Sequence, residues 1–295
     1  MGLRIRTNVA SLSGQRALAE STKETNKSMA RLSSGFRINQ AADDAAGLSI
    51  SETFKAKIRS MNQAKRNASD GNSMIQVAEG GMNEVSNILI RLRELAIQSS
   101  SDTIGNTERS FANREYQQLV SEVDRISNTT EFNGWKLLGG AENNDDKEQA
   151  VFHIGPNDGS IANTDTISLN IDKIQLNTSE DSLNLGVESE IGPVDPEGGF
   201  DREIAANKIS VLDVALKRVA GNRAELGALQ NRLNSTISNL SISIENAESA
   251  NSRIRDVDFA KESANFTQQK ILGQAGVSIL SHANVQPEMA LALLR

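Results

Sequence analysis

Residues 54–96 read FKAKIRSMNQAKRNASDGNSMIQVAEGGMNEVSNILIRLRELA, and their pattern indicates the architecture of the whole chain. Its small and apolar residues recur every three or four positions, as they do along the buried side of a coiled-coil helix. These residues are Phe54, Ile58, Met61, Ala64, Ala68, Gly71, Ile75, Ala78, Met82, Val85, Leu89, Leu92 and Ala96. A helix of this length spans roughly 65 Å at 1.5 Å per residue, so we expect an elongated fold.

A second pattern with the same spacing lies near the other end of the chain. Its members are Leu226, Leu229, Leu233, Ile237, Leu240, Ile244, Ala247, Ile254 and Val257. Two long helices this far apart in sequence can pair antiparallel along their length. The expected fold class is therefore mainly α, an elongated antiparallel bundle of long helices or coiled coil.

The N-terminal region predicts a shorter helix over about residues 7–33. Its apolar side is weak and consists of Val9, Leu12, Leu18, Met29 and Leu32. Gly35 suits the left-handed position that ends a helix. Asp43 or Asp44 can then cap the long helix, which we expect to run from about residue 44 to residue 98.

The middle of the chain predicts a third helix and a small β insert. Residues 108–127 place Phe111, Leu119, Val123 and Ile126 at helical spacing. Asn133-Gly134 is a strong turn signal, and we expect Trp135 to cover the end of the bundle. Alternating apolar and polar residues in 150–155 and 165–176 predict a small antiparallel sheet.

The last third of the chain returns to a helical pattern. Residues 191–200 hold two prolines and three glycines and predict a linker. The helical pattern resumes near Arg202, with a break expected around Ala220 and Gly221. A final amphipathic helix follows, which Pro287 should kink or end.

Composition excludes several classes of function. The net charge is −7, which argues against a nucleic-acid or anionic-membrane partner because either would need a basic face. The chain has no cysteine, so disulfides and thiolate chemistry are absent. We find no cleavable signal peptide and no stretch near the roughly 18 apolar residues of a membrane span.

Residues that could carry chemistry are few. His153 and His282 are the only histidines, and neither stands at metal-ligand spacing with a partner. The adjacent carboxylates of Asp43 and Asp44 are far more typical of a helix cap than of a catalytic pair. We therefore predict no enzyme activity, no cofactor and no metal.

Extended amphipathic surface is what the chain does offer. Terminal helices with weak apolar faces are candidates to pack against neighbouring copies, and open-ended contacts of that kind generate helical filaments. On the last helix the residues expected to make such contacts are Leu272, Ile279 and Leu293. The alternative is that both termini simply fray.

Several long motifs resemble bacterial flagellin. They are LSSGFRINQAADDAAGLSI (32–50), QAKRNASDGNSMIQVAEGGMNEV (63–85), RLRELAIQS (91–99), EFNGWKLL (131–138), SRIRDVDFAKE (252–262) and LSHANVQPEMALALLR (280–295). The resemblance covers about residues 1–140 and 205–295.

The resemblance implies a division into three parts. Residues 1–42 would pair with 255–295 as an inner terminal coiled coil, and 43–140 with 200–254 as a helical rod. Residues 141–199 would be a small β-rich insert and linker, so the large outer domains of longer flagellins are absent or vestigial.

The resemblance also implies location and partners. The protein would be exported by the flagellar type III apparatus with a chaperone, and would form an extracellular homopolymer for motility that contacts filament cap and hook-associated proteins. Arg91, Leu95 and Glu115 match the patch that many flagellins present to an animal Toll-like receptor.

Other functions remain as alternatives. A hook-filament junction protein shares the terminal pattern, but here the match continues through the rod motifs. A chemoreceptor-type helical module would need a tight hairpin tip and a membrane span. An enzymatic insert, as in flagellins that carry a metalloprotease, would need an HExxH motif, whereas His153 stands alone.

Overall fold

The structure is a computed structural model of the 295-residue chain. It describes residues 8–140, 149–157, 165–178, 182–185, 191–192 and 202–292, with side chains of the last range given from 203 to 285. The helices are α1 (Val9–Ser34), α2 (Ala45–Ser99), α3 (Asn106–Thr129), α4 (Arg202–Arg255) and α5 (Phe259–Ala292). The predicted fold class, long helices with a small β insert, is confirmed.

The ends of α1 follow from local chemistry. The side chain of Asn8 accepts a hydrogen bond from the backbone N–H of Ser11 at 3.0 Å, which satisfies one of the unpaired donors of the first turn. Gly35 has a φ of 76° and donates its N–H to the carbonyl of Arg31 at 2.9 Å. Gly35 therefore ends the helix in the left-handed conformation, as predicted.

One compact unit comprises Met1–Ile58 and Glu245–Arg295. In it α1 and α5 pack side by side, and they are antiparallel because Asn8 bonds Ala283 whereas Ser21 bonds Gln269. The buried residues of α1 are serines, at positions 11, 21 and 28.

The weak apolar side of α1 contributes little burial to this unit. Val9, Leu12 and Met29 are more than half exposed, and Leu18 and Leu32 are only half-buried. The two helices approach closely through small residues, and Leu18 and Leu280 each pack over a glycine of the facing helix.

The other compact unit comprises Arg59–Ile244. Arg93 of α2 pairs with Asp213 of α4 at 2.7 Å, and Glu79 pairs with Arg223 at 3.8 Å, so the two long helices run antiparallel here. The predicted seams supply the core: the fully buried seam residues include Ala68, Ile75, Ala78, Met82, Val85, Leu89, Leu92 and Ala96 of α2, and Leu226 and Leu233 of α4.

The expected break in α4 at Ala220 and Gly221 is wrong. The helix continues from Arg202 to Arg255. Glycine costs about 1 kcal/mol relative to alanine in a helix interior. Gly221 is exposed, whereas Val219 and Leu226 beside it are buried, and their packing outweighs that cost.

The third helix packs against the core of this unit largely through the predicted face, with Val123 buried and Leu119 and Ile126 half-buried against the core. Its buried residues include Ala112, Tyr116 and Val123. Phe111 is 59% exposed, so its predicted place on the apolar face is wrong. One residue turns a helix by about 100°, which carries Phe111 out of the stripe that contains Ala112 and Tyr116.

Two small antiparallel sheets follow α3 in this unit. The first pairs β1 (Glu131–Phe132) with β2 (Trp135–Lys136), and Asn133 and Gly134 form the predicted turn with φ values of 51° and 81°. Trp135 is half-buried against the core.

The second sheet pairs β3 (Gln149–His153) with β4 (Thr166–Asn170), as expected from the alternating pattern, and a short 3₁₀ turn follows at Asp172–Ile174. Asn67 of α2 donates to the carbonyl of His153 at 2.9 Å. This contact ties the second sheet to the long helix.

The start of the predicted linker is part of the core. Ile191 is fully buried and its N–H donates to the side chain of Asn113 at 3.1 Å, so a linker beginning at this residue is wrong. The remainder of that prediction, residues 193–200, lies outside the described residues. Pro287, expected to kink or end the last helix, does not end it, since α5 continues to Ala292.

Candidate functional site

The largest run of exposed apolar side chains on one described helix belongs to α5. Ile279 is 62% exposed and Leu272 50% exposed. The full set, which we call the exposed apolar surface of α5, is Phe259, Ile271, Leu272, Val277, Ile279 and Val285. The third predicted packing residue, Leu293, lies outside the described residues.

Pairing with α1 leaves this surface uncovered because the contact between the two helices uses other residues. The methyl carbon of Leu280 lies 3.4 Å from the position that a Cβ on Gly14 would take. Gly276 faces Leu18 in the same way, and Ser21 Oγ donates to the carbonyl of Gln269 at 2.8 Å. Neighbouring residues such as Ile279 and Leu280 therefore face different surroundings.

Charge distinguishes the two helices. Between residues 263 and 285, α5 carries one lysine, Lys270, and one histidine, His282, and no carboxylate. Over a similar length α1 exposes five charged side chains: Arg16, Glu20, Lys23, Glu24 and Lys27. Burying the exposed surface of α5 would thus remove much apolar area from water and few charges.

The three residues of the implied receptor patch occupy two environments. Arg91 of α2 binds Glu115 of α3 at 2.8 Å and Glu94 at 3.0 Å, and the side chains of Arg91 and Glu115 are both about half exposed. Hydrogen bonds from Arg91 to Glu115 and then to Glu94 raise the pKa of Arg91. Leu95, by contrast, is buried in the core at 2% exposure.

The residues weighed for chemistry serve local structure. The Nε2 atom of His153 is 2.8 Å from the carbonyl of Asn157, and Asp44 Oδ1 caps α2 by accepting from the N–H of Gly47 at 2.9 Å. Among the described residues, no three His, Cys, Asp or Glu side chains gather as a metal site requires. None of the described helices has the length and apolar character needed to cross a membrane.

Asp43 is held as an anion beside the helix start. Burial acts to raise its pKa, but hydrogen bonds from the backbone N–H groups of Gln40 and Asn39 and the nearby Lys27 hold the pKa below its ordinary value of 3.8. The distance from Lys27 Nζ to Asp43 is 3.5 Å. Both carboxylates thus have structural partners of the kind expected for caps.

Comparison with known proteins gives matches along most of the chain. Residues 5–143 match the bacterial flagellin N-terminal helical region, and residues 209–294 match the C-terminal helical region. A flagellin of Halalkalibacterium halodurans is 41% identical over 99% of both chains. The flagellar filament 33 kDa core protein of Treponema phagedenis is 38% identical, again over 99% of both chains.

A solved structure is also similar. It is a Vibrio parahaemolyticus protein assigned as flagellar and hook-associated, which superposes with a TM-score of 0.60 over 72% of this chain and all of the other. Its identity to this chain is 12%, so the likeness shows a shared fold and does not discriminate between functions.

Proposed function

The chain belongs to the bacterial flagellin family, and from this premise we propose that α5 is the surface through which copies of it assemble into a filament. The names of its close relatives favour a filament subunit over a hook-filament junction protein or a chemoreceptor module. The observation that carries the proposal is the exposed apolar surface of α5, which no part of the described chain covers.

The energetics favour a second copy as the occupant. Fully burying a leucine or isoleucine side chain stabilises a structure by about 1.5–3 kcal/mol. Leu272 and Ile279 retain half or more of their exposure in the monomer, so most of that gain remains for assembly. Because each subunit of a filament repeats the same contact, a modest gain per subunit is enough to drive polymerisation.

Truncation tests the proposal directly. A chain ending at Gly273 lacks Ile279 and the rest of the surface beyond it but keeps the unit Arg59–Ile244. We expect it to retain the main helical melting transition by circular dichroism and to fail to elongate filament seeds in a sedimentation assay. Normal pelleting of the truncated chain would contradict the assignment of α5 to the filament contact.

We further propose, from the family resemblance, that the three parts inferred from the sequence serve assembly, export and surface exposure. Residues 1–42 with 255–295 would form the inner layer, and the rod of 43–140 with 200–254 would lie outside it. A type III apparatus would export the chain to the cell exterior with the help of an export chaperone. There the filament would contact a filament cap and hook-associated proteins. Binding of the full chain to a purified export chaperone, lost on truncation at Gly273, tests the chaperone proposal.

A receptor contact is proposed for the surface around Arg91. The ion pair between Arg91 and Glu115 is exposed on adjacent helices, which makes it available to a Toll-like receptor of an animal host. Leu95 is buried, so its part in this proposal is to support the helix from beneath. Binding of the receptor ectodomain to Arg91→Ala and Glu115→Ala variants tests it, and unchanged affinity in both would contradict it.

A further inference from the structure

Two chain segments that are far apart in sequence meet between the helices of the unit Met1–Ile58 and Glu245–Arg295. Phe36 and Asp256 form an antiparallel bridge. The N–H of Arg37 donates to the carbonyl of Arg255 at 2.6 Å, and the N–H of Val257 donates to the carbonyl of Gly35 at 3.0 Å. Two backbone hydrogen bonds thus join the end of α1 to the start of α5.

Side chains reinforce this junction. The guanidinium of Arg37 donates from Nε and Nη2 to the carbonyl of Ile254, at 3.2 and 2.6 Å. That carbonyl belongs to the last turn of α4, where carbonyls lack partners within the helix and a cation is favourable. The guanidinium of Arg255 lies 4.6 Å from the centre of the Phe36 ring, a cation–π distance.

A network of ion pairs extends the junction to both terminal helices. Arg31 of α1 lies 3.7 Å from Glu262 of α5 and 3.9 Å from Asp43 of the connector. Glu262 is buried at 7% exposure, and Asp258 caps the first turn of α5 by accepting from the N–H of Ala260 at 3.0 Å. Three elements are therefore held at one place.

Fewer hydrogen bonds join α1 and α5 along the rest of their described contact. Its hydrogen bonds of described geometry are those from Ser21 and Asn8, each from a side chain to one carbonyl. Serine and glycine allow close approach, and Leu18 and Leu280 pack over Gly276 and Gly14. Because Gly273 and Gly276 lie three residues apart on one side of α5, a shift of nearly one turn again places a glycine against α1, so these contacts alone do not select one register.

We propose that residues 35–37 and 254–257 form a clasp that holds the start of α5 against the end of α1 and sets the register in which the two helices pair. Arg37 and Ile254 are 217 positions apart. Once the clasp is closed, α1 and α5 pair from its end as the two arms of a hairpin do.

Disulfide trapping measures that register. The chain has no cysteine, and a Cβ on Gly273 would lie 3.6 Å from Ser21 Oγ, so side chains at these two positions are direct neighbours across the helix pair. The double variant Ser21→Cys with Gly273→Cys reports the observed register. The variant Ser21→Cys with Gly276→Cys reports a shift of nearly one helical turn.

The clasp is then opened in each double variant by Arg37→Ala. We expect the rate of in-register disulfide formation to fall by about tenfold, because Arg37→Ala removes both hydrogen bonds from the guanidinium to the Ile254 carbonyl. The off-register rate should rise relative to it. Arg16→Ala, which removes an exposed arginine of α1, serves as the matched control and should change neither rate.

Two further measurements keep the result interpretable. Fluorescence melting of Trp135, which lies in the other compact unit, checks that the variants fold. Hydrogen exchange should show that Arg37→Ala lowers protection in peptides covering 35–40 and 253–258 together. Equal disulfide rates with and without Arg37, or loss of protection in only one of these peptides, would overturn the proposal whether or not the chain assembles.

Discussion

Ile279 and Leu280 are neighbours in sequence that should contribute to different states of the protein. Ile279 is 62% exposed, whereas Leu280 is half-buried against Gly14. Changing Ile279 to alanine removes three carbon atoms, worth about 2.4 kcal/mol if fully buried at about 0.8 kcal/mol each. Scaling by the exposed 62% leaves about 1.5 kcal/mol that only assembly can supply.

A loss of about 1.5 kcal/mol per subunit should raise the critical concentration for polymerisation by about tenfold. The assay is seeded elongation at a series of protein concentrations, with the pelleted fraction measured at each. Ile279→Ala should leave hydrogen exchange in monomeric α1 and α5 unchanged. A critical concentration within about twofold of the parent chain would refute the assignment of this side chain to the filament contact.

Leu280→Ala is the matched control because it removes a contact inside the monomer. We expect it to speed hydrogen exchange in α1 around Gly14 and in α5 around Leu280 before any assembly takes place. If instead Ile279→Ala speeds exchange in the monomer and Leu280→Ala does not, the two faces of α5 have been assigned the wrong way round.

Three further predictions concern stability. Leu89→Asp and Leu233→Asp should each lower the free energy of unfolding by several kcal/mol, since both side chains are fully buried and the new charge has no partner. An unchanged melting temperature would show that these residues do not lie in the buried seams. The pKa of Asp43 in the folded state lies below 3.8, so its contribution to stability is present above pH 3.8 and is lost as the pH falls through the folded-state pKa. Denaturant unfolding of Asp43→Asn should therefore differ from that of the parent chain at neutral pH and become the same in acid. Gly221→Ala should stabilise by about 0.5–1 kcal/mol in thermal melts because nothing lies near its Cβ position, whereas Gly192→Ala should destabilise because its Cβ would meet the backbone carbonyl of Arg109.

The long helices could be predicted because their burial is periodic and continuous. In α2, eleven residues of the quoted seam from Met61 to Ala96 are buried, and only Phe54 and Ile58 are half-buried. A helix that packs against other elements along its whole length needs one continuous stripe of apolar residues. The spacing of those residues in the sequence reveals the stripe. The same logic explains why the Asn133-Gly134 turn was predicted, since its positive φ values suit few other residue pairs.

Where sequence and structure differ, packing outweighs residue propensity. Gly221 does not interrupt α4 because buried neighbours fix the helix. The prolines and glycines after Ile191 predict a linker, yet its own side chain is fully buried. Phe111 is large and apolar, which predicts a core position, but its place on α3 lies outside the buried stripe.

The candidate sites were only partly visible in the sequence. The sequence pointed to Leu272 and Ile279 through their apolar character, and the structure adds that both are exposed. It could not show that Leu95 is buried while Arg91 and Glu115 form an exposed ion pair, because those distances depend on how α2 and α3 pack. The clasp carried no signal at all, since it joins residues separated by most of the chain.

The predicted amphipathic character does not describe α5 well, because its apolar residues are not confined to one face. Its apolar residues lie on more than one side of the helix. Leu280 faces α1, whereas Val277 and Ile279, which lie within the preceding turn, are exposed. A helix that is apolar around much of its circumference belongs in a buried environment. One neighbour, α1, can cover only one side of it. In the monomer, part of the apolar surface of α5 therefore stays exposed to water. Contacts with helices of other subunits would bury it.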